Sequence, residues 1–519
     1  MKAPKRLVAV AVAAVTTAAL AGCSAGGASP SATGAVTKGG DLKIAWSADI
    51  IGVDQTRLFD NNSIRVIEQI TEPLFMVSED GAKVDPWLAT GYTISSDKKT
   101  YVIKLRSGVK FSNGDAMTAD DVKFSIDEDT KSGAAGWGFV NSAISSVDAT
   151  DASTVTIHLK YAWAPLIADL SLFANGIVPK DYGGKTREAF FAAPIGTGPY
   201  EWDTWKKGQY VRIKKNPGYW QKGKPNLDTV TWSVVPDANT RKLQLQGGQI
   251  DIDDTPDWSS FASLKSTPNV QAKTFPSTYL TYVAFNQKRA PFSDEHIRRA
   301  IAYATDRTAL VKAVLYGNGK AANSLLMPGV PYYDENAAGP ALDLAKAKQE
   351  LAASSKPGGF STTLLISSGD PNQASVAQIL QSELKAIGIT MQIKQLDPTA
   401  NKQARLAQDF DMTISGWTMD IPDPDEWTSF AVDPKGGSHS AYTSYDDSAV
   451  VALNKAAQQE TDSAKRNGLY GQLQQKTGDS AFLDYLYYSP YAYATTDEVR
   501  GFHVTPLGNY HTENISLAK

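Results

Sequence analysis

Side chains that commonly carry catalysis or bind metals do not occur here in the spacings that such chemistry requires. The five histidines are scattered, and none belongs to an H-E-x-x-H or similar ligand pattern. The sequence contains neither a G-x-S-x-G nucleophile motif nor a P-loop. Adjacent acids such as Asp120 and Asp121 are more often helix caps or solvated loop residues than acid–base pairs. We therefore predict no catalytic residue, no metal site and no bound cofactor.

The single cysteine, Cys23, lies where a lipid could be attached. A basic N-terminal segment precedes an apolar stretch at residues 7–20, which is too short for a membrane span but suits a signal peptide. The motif LAGC, which ends at Cys23, resembles the bacterial lipobox, and this resemblance implies a signal peptide at 1–22. A lipidated cysteine and a flexible Ser/Gly/Ala tether would then occupy 23–40. The alternative is an ordinary signal peptide with an incidental cysteine.

The composition indicates a soluble protein of two or three domains. The chain has 519 residues, of which 42% are hydrophobic and 20% charged, and one hydrophobic core rarely serves a chain of this length. Removal of residues 1–22 takes away three of the 51 Lys and Arg residues and no acid, which leaves 48 against 55 Asp and Glu residues, a net charge of −7. Because no basic run survives this cleavage, we expect no nucleic-acid partner.

The most regular part of the sequence predicts a parallel α/β unit. Strand-like segments at 362–366, 389–396 and 411–415 alternate with helical segments at 372–387 and 399–408. This βαβαβ order implies a parallel sheet with crossover helices, whose ligands bind beyond the carboxyl ends of the strands. The residues expected at those ends are Ser368, Gly369 and Asp370 after the first strand, and Gly416, Trp417, Thr418, Met419 and Asp420 after the third.

Several long segments of the chain contain recognisable motifs. In order, these are the block FSNGDAMTADDVKFS, the motifs G-T-G-P-Y and N-x-x-Y-W, the helix-pair pattern P-F-x-D-x-x-x-R-x-A and the block DMTISGWTMDIPDPDEW. With these motifs the chain resembles the family 5 extracytoplasmic solute-binding proteins, which serve importers of peptides, nickel and some glycans or opines. The resemblance as a whole covers roughly residues 41–515, and its main segments are 71–126, 194–230, 282–319 and 411–427.

The resemblance implies a type II periplasmic-binding-protein-like α/β fold, with two α/β lobes joined by a hinge and an extra small domain. The ligand would be enclosed between lobes I and III when the hinge closes. It also implies a monomer that delivers its ligand to the permease subunits of an ABC importer, and that meets the membrane through a lipid anchor only. The expected boundaries are 41–60, 177–278 and 488–519 for lobe I, 61–176 for lobe II and 279–487 for lobe III.

Candidate ligand-binding residues follow from the same resemblance. Asp420 matches the acid that holds the α-ammonium group of the ligand in peptide-binding members, and Trp417 would form a flat wall against the peptide. Arg405 matches a position near the pocket where peptide binders place a cation. Asp49 and Trp137 fall in loops that border the cleft in relatives. The alternative role for Asp420 is a helix N-cap or a hinge hydrogen bond.

One departure from the family bears on the ligand. Dipeptide-selective members carry an arginine near residues 367–372 that binds the C-terminal carboxylate, whereas this chain has Ser368, Gly369 and Asp370 there. The sequence therefore predicts an extracytoplasmic, lipid-anchored substrate-binding protein of an ABC importer, with an oligopeptide as the favoured ligand. The alternatives are a non-peptide solute such as an oligosaccharide, an opine or a metal chelate, a secreted hydrolase, and a chemosensory receptor of the same fold.

Overall fold

The structure, a computed structural model, describes residues 36–133, 136–337, 339–436 and 438–518. The predicted signal peptide and Cys23 lie outside the described residues. The end of the predicted tether does not extend freely, because the strand Val36–Thr37 pairs with a strand at the C-terminus. Over the residues that the structure describes, no helix is long and apolar enough to cross a membrane.

Most strands of the described chain join one large mixed sheet. In chain order the strands are β1 (Val36–Thr37), β2 (Asp41–Trp46), β3 (Phe75–Val77), β4 (Val84–Pro86), β5 (Ala89–Ile94), β6 (Thr100–Leu105), β7 (Ile144–Asp151), β8 (Thr154–Leu159), β9 (Tyr200–Lys206), β10 (Tyr210–Lys215), β11 (Thr229–Val234), β12 (Ile252–Asp253), β13 (Val270–Phe285), β14 (Lys320–Ala321), β15 (Phe360–Ser367), β16 (Ile389–Leu396), β17 (Met412–Trp417), β18 (Leu483–Thr496), β19 (Val499–Arg500) and β20 (Ser516–Ala518). The large sheet has the order β16-β15-β17-β13-β18-β12-β2-β11-β10-β9, with β14 beside β18. Smaller sheets are β5-β6-β8-β7, β3-β4 and β1-β20-β19.

Aspartates begin most of the longer helices in the described chain. The α-helices are α1 (Asn61–Ile67), α2 (Ala119–Ser132), α3 (Leu166–Asp169), α4 (Arg187–Phe191), α5 (Ala238–Gln246), α6 (Trp258–Lys265), α7 (Glu295–Ala304), α8 (Arg307–Val314), α9 (Leu344–Ala353), α10 (Pro371–Lys385), α11 (Pro398–Leu406), α12 (Asp425–Val432), α13 (Ser448–Gln459) and α14 (Ser463–Asp479). A carboxylate that accepts a first-turn amide hydrogen bond contributes about 0.5–2 kcal/mol to a helix. The aspartates that do so here are Asp60, Asp237, Asp294, Asp306, Asp343, Asp370, Asp397, Asp447 and Asp462.

The parallel unit predicted from the sequence is confirmed. β15 pairs in parallel with β16 from Phe360 opposite Ile389, and with β17 at Leu364 opposite Met412, while α10 and α11 make the crossovers. The predicted boundaries differ from the observed ones by no more than two residues, because apolar residues at regular helical and strand spacing define each element. Buried Val376, Leu380 and Leu384 form the inner face of α10.

The helix α1 is only seven residues long. α1 ends at Ile67, and the carbonyl oxygens of Gln69 and Ile70 accept hydrogen bonds from the amides of Tyr200 and Gly198 instead of continuing the helix. The two backbones approach so closely that a Cβ atom at Gly196 would lie 1.9 Å from the Ile70 oxygen. The G-T-G-P-Y motif therefore has a packing role, since only glycine permits this contact.

Two long antiparallel strands, β13 and β18, connect the two ends of the large sheet. Residues 270–275 of β13 pair with 491–496 of β18 on the side of β12, and the later residues of β13 pair with both β18 and β17. The register shifts between Phe275 and Tyr279. This irregularity lies beside the expected lobe boundaries at 278 and 488.

Candidate ligand-binding site

A cavity of about 1000 Å³ lies beyond the carboxyl end of β17. Its walls come from residues before and within α1, from the segments 136–142 and 161–163, from β13 and α11, and from α12 and α13. The carboxyl end of β15, at residues 368–370, does not line it. The volume is at the upper end of the range of about 300–1,000 Å³ that small-ligand pockets occupy, so the cavity exceeds the needs of a single amino acid.

Aromatic rings form one wall of the cavity. The ring centroid of Trp417 is 4.0 Å from that of Phe430 and 5.3 Å from that of Trp427, and Trp137 stands 6.5 Å away across the cavity. Trp137 is buried, and its indole N–H donates to the Leu58 carbonyl oxygen at 2.5 Å. Flat rings fixed in this way give apolar contact area with little loss of conformational entropy on binding.

Asp420 carries a partly buried carboxylate that has no hydrogen bond or ion pair within the described part of the chain. Its backbone amide donates to Glu426 Oε2 at 2.7 Å, and the same oxygen accepts from the Ile421 amide at 3.1 Å. The indole of Trp417 donates to Glu426 Oε1 at 3.2 Å, so one glutamate holds both predicted site residues in place. Asp420 does not cap α12, whose N-cap residue is Pro424.

The surroundings of Asp420 disfavour its negative charge. Burial, together with the neighbouring Glu68 carboxylate, raises the pKa of Asp420 well above its usual value. Burial also raises the pKa of Glu68 to about 7, and burial with the charge of Asp420 raises the pKa of Glu426. A cation placed against Asp420 would lower its pKa again, because an opposite charge favours the ionised form.

Arg405, near the end of α11, carries a half-buried guanidinium without an acidic partner among the described residues. Its Nη1 donates to Ser415 Oγ at 3.0 Å, and the guanidinium lies 5.1 Å from the ring centroid of Tyr442. The backbone of residues 439–442 is left-handed, with φ between 47° and 68° at each residue, none of them a glycine. Left-handed backbone at residues other than glycine is costly, and here it accompanies the placement of the Tyr442 ring beside Arg405.

The structure brings four of the five predicted ligand-binding residues together and separates the fifth. Trp417, Asp420, Arg405 and Trp137 all line the cavity, whereas Asp49 does not. The Asp49 carboxylate accepts hydrogen bonds from the Trp205 indole, at 3.1 Å to each oxygen, and from the Gly208 amide at 2.6 Å. Asp49 therefore fixes the loop that follows β2 against the β9–β10 turn.

Other residues of the site were not anticipated from the sequence. Glu426 belongs to the same sequence block as Trp417 and Asp420. Its position in the motif D-P-D-E-W could have indicated that it belongs to the site. The tyrosines on β13 gave no signal, because their spacing is that of any buried strand. A Cβ atom at Gly416 would lie 2.5 Å from the hydroxyl oxygen of Tyr279, so this glycine makes room for the ring. The unanticipated aromatic residues of the lining are Phe59, Phe139, Tyr161, Trp163, Tyr279, Tyr282, Phe430 and Tyr442.

Hydrogen bonds at Gln458 join two parts of the chain beside the cavity. The Ala164 amide donates to the Gln458 carbonyl oxygen at 2.8 Å, and the Gln458 side chain donates to Asp425 Oδ1 at 2.7 Å. Burial and the charge of Asp423 raise the pKa of Asp425 to about 6. These contacts link the segment before α3 to α12 and α13 beside the cavity.

Comparison with known proteins gives consistent matches along the chain. A family model described as bacterial extracellular solute-binding proteins, family 5 middle, matches residues 83–439. The probable D,D-dipeptide-binding periplasmic protein DdpA of Escherichia coli (strain K12) is 32% identical over 480 residues, which are 90% of this chain and 92% of that protein.

Solved structures resemble the whole described fold. The periplasmic binding protein DppA from Helicobacter pylori, in complex with the peptide STSA, gives a TM-score of 0.84 at 25% identity and covers 93% of this chain and 99% of its own. AgaA from A. tumefacien R10, in complex with agropinic acid, gives 0.83 at 28% identity, with 92% and 99% covered. These likenesses confirm the type II periplasmic-binding-protein-like fold predicted from the sequence.

Proposed function

This chain belongs to the bacterial extracellular solute-binding proteins of family 5 and acts as a substrate-binding protein of an ABC importer, and we propose that its substrate is a short peptide. In this proposal the peptide is held in the cavity, which is lined mainly by the segments assigned to lobes II and III together with Arg57 and Phe59 of lobe I, and it is delivered unchanged to the permease. The chain carries out no catalysis. DdpA and DppA, whose names and complexes refer to peptides, support the choice of ligand.

The unpaired carboxylate of Asp420 is the observation that carries the proposal. A peptide ammonium beside it would form a charge-assisted hydrogen bond, and such bonds are about twice as strong as neutral ones. The wall of Trp417, Phe430 and Trp137 would contact backbone or side chains without selecting one sequence. Asp420 therefore orients the peptide, and the aromatic rings provide apolar contact area for it.

Substitution of Asp420 tests the assignment. Asp420→Asn keeps the shape and removes the charge, so we expect at least a roughly tenfold loss of affinity for tripeptides with a free N-terminus, since truncating a buried charge pair costs about 2–5 kcal/mol. N-acetylated tripeptides should bind wild type weakly and lose little more in the variant. Isothermal titration calorimetry measures both. Asp433→Asn is the matched control, because Asp433 also lines the cavity but its carboxylate accepts from the Lys435 amide.

The melting temperature of the empty variant separates a binding defect from misfolding. Because the buried Asp420 carboxylate is destabilising without a ligand, Asp420→Asn should melt at or above the wild-type temperature. Wild type that binds N-acetylated and free tripeptides equally well would contradict the role of Asp420.

An opine is the second candidate ligand. The observation that favours it is the likeness to AgaA, which was solved with agropinic acid. Calorimetry with agropinic acid as the probe distinguishes an opine ligand from a peptide ligand. Binding of agropinic acid without binding of any tripeptide would replace the peptide assignment and leave the substrate-binding role intact.

We also propose that Cys23 carries a lipid that anchors the protein at the outer face of the cell membrane. The motif LAGC supports this placement. Cys23→Ala should leave the protein unanchored in the medium or unprocessed, because a single cysteine offers one attachment point. Cell fractionation would show whether the variant is anchored, and intact mass measurement would show whether it is processed. A Cys23→Ala protein that remains in the membrane at mature size would rule out lipidation at this residue.

A further inference from the structure

Four polar side chains of α12 and α13 line the cavity and are joined through one hydroxyl group, Ser429 Oγ. That hydroxyl donates its proton to Asp425 Oδ1 at 2.8 Å, and it accepts from Gln458 Nε2 at 2.9 Å and from Asn454 Nδ2 at 3.3 Å. Gln458 Nε2 also donates to Asp425 Oδ1, at 2.7 Å. Asp425, Ser429, Asn454 and Gln458 are termed the acceptor cluster.

The hydrogen bonds of the acceptor cluster leave three oxygen atoms free. Because the single Ser429 proton goes to Asp425, Asn454 presents its amino group to Ser429, and its Oδ1 has no partner among the described residues. Both amide protons of Gln458 are used, which leaves its Oε1, and Asp425 Oδ2 accepts no hydrogen bond within the described chain. Each free oxygen is about 2.2 Å from the bonded atom of its own group, so all three lie within roughly 6 Å of Ser429 Oγ.

The negative charge of Asp425 has no ion-pair partner in the part of the chain that the structure describes. Asp425 is only 2% exposed, so water compensates its charge poorly. Arg466 lies nearby, but its two terminal nitrogens bond to Asp423 at 2.6 and 2.8 Å. Lys455 also lines the cavity, but it is exposed and forms no ion pair with a described residue. The acceptor cluster therefore has an uncompensated charge.

A second buried carboxylate and two aromatic rings lie beside the acceptor cluster. Asp169 Oδ2 accepts from the Trp163 indole at 2.7 Å, whereas Oδ1 has no partner in the described residues. Burial, and then the negative charge of Asp425, raise the pKa of Asp169 well above its usual value. Trp163 and Tyr161 both line the cavity, with ring centroids 6.0 Å apart. Aromatic rings beside an acid suit both the methylene stem and the charged end of a basic side chain.

Three free acceptors and one uncompensated negative charge are the complement of an ammonium group, which has three N–H donors and no acceptor. We propose that the acceptor cluster binds the ammonium group of a ligand side chain, so that the protein selects short peptides that contain lysine. The inference rests on the proposed function and adds a side-chain preference to it. Asp420 precedes Asp425 by five residues, which span at most about 18 Å. A peptide whose N-terminus lies at Asp420 therefore reaches the cluster with one of its first five residues.

The test uses the mature protein and alanine peptides of three and five residues. Each peptide carries one lysine or, at the same position, one norleucine, which has a similar shape but no ammonium group. Calorimetry measures both affinities at every position. For wild type we expect one position at which lysine binds about tenfold or more tightly than norleucine, because only lysine pairs with the buried carboxylate. Asp425→Asn should reduce this ratio below about threefold by weakening binding of the lysine peptide.

Asp433→Asn is the matched control, since Asp433 lines the cavity at the other end of α12 and its carboxylate accepts from the Lys435 amide. It should leave the ratio of lysine to norleucine affinity unchanged. Asn454→Leu is a second variant, which keeps the volume, removes Oδ1 and should weaken binding of the lysine peptide alone. The melting temperature of each empty variant shows whether it folds.

Two results would overturn the acceptor cluster as a lysine subsite and leave the peptide assignment intact. One is equal affinity for the lysine and norleucine peptides at every position. The other is an Asp425→Asn protein that folds and keeps the wild-type ratio. Failure of all of these peptides to bind wild type would instead overturn the peptide assignment itself.

Discussion

At Asp420 the balance between the charged and neutral carboxyl group depends on what occupies the cavity. Burial and the Glu68 carboxylate raise its pKa in the empty protein, and a ligand ammonium would lower it again. Between the two pKa values the empty site is protonated and the occupied site is not, so binding releases a proton. Affinity for a peptide should accordingly rise with pH through this window, and fall once the ammonium itself deprotonates near about pH 8.

Calorimetry in buffers of different ionisation enthalpy measures this proton release directly. At a pH below the raised pKa of Asp420, wild type should show an observed binding enthalpy that changes with the buffer, with protons passing from protein to buffer. Asp420→Asn should remove most of that dependence, because it cannot ionise. Proton uptake by wild type, or a release that persists in Asp420→Asn, would mean that another group, such as Glu68 or Glu426, controls the charge of the site.

Two of the four predicted residues that line the cavity lie close together along the chain. Trp417 and Asp420 occur in one block, and the same block contains Glu426, which fixes them. Tyr442 could not be predicted, because its position depends on a left-handed turn made of ordinary residues that carry no local signal for it. Asp49 was predicted from the loop that it occupies, but its carboxylate is used by Trp205 and Gly208.

Among the elements, β13 and β17 approach each other closely beside the cavity, at Tyr279 and Gly416. The Gly416 backbone is not left-handed, so alanine there brings no backbone strain, but its Cβ atom would lie less than 3 Å from three atoms of the Tyr279 phenol group. Tyr279 is 37% exposed and can swing away, so the cost should fall on the position of the ring and not on folding. Gly416→Ala should therefore change the melting temperature little and weaken tripeptide binding several-fold.

Gly468→Ala provides the control for this experiment. Gly468 lies in α14, where an added Cβ atom would have no neighbour within 4 Å, so alanine should raise stability by about 1 kcal/mol through helix propensity and leave binding unchanged. Thermal melting and calorimetry report the two effects separately. A Gly416→Ala protein with wild-type affinity would show that Tyr279 does not contact the ligand.

Elements with regular apolar spacing were predictable, and those set by distant contacts were not. The β15–α10–β16–α11–β17 unit follows from its own periodicity and needs no information from elsewhere. α1 stops at Ile67 because the Gly198 and Tyr200 amides, far along the chain, bind the carbonyl oxygens of the next turn. Nothing in the sequence around α1 indicates that contact. The glycines of G-T-G-P-Y do indicate that another backbone segment packs closely against that motif.

For the whole molecule, the cavity lies where parts of the chain on either side of the β13–β18 pair meet. The hydrogen bond between Ala164 and Gln458 lies beside it, and Asp420 and Arg405 line it. The family resemblance predicts a ligand enclosed between lobes, and this stays a prediction, whereas composition and periodicity alone indicate only an α/β protein of more than one domain. Chain length, charge and local pattern do not specify how separate segments enclose a ligand.

The most direct test of the account is whether the protein retains intact peptides. Mature protein would be mixed with a pool of di- to pentapeptides, freed of excess by gel filtration and denatured, and the released molecules identified by mass spectrometry. We predict recovery of unmodified peptides, with both termini free and with no fragments, at close to one per protein molecule. Recovery of no peptide, or of cleaved peptides, would contradict the proposal that this chain captures short peptides for import without altering them.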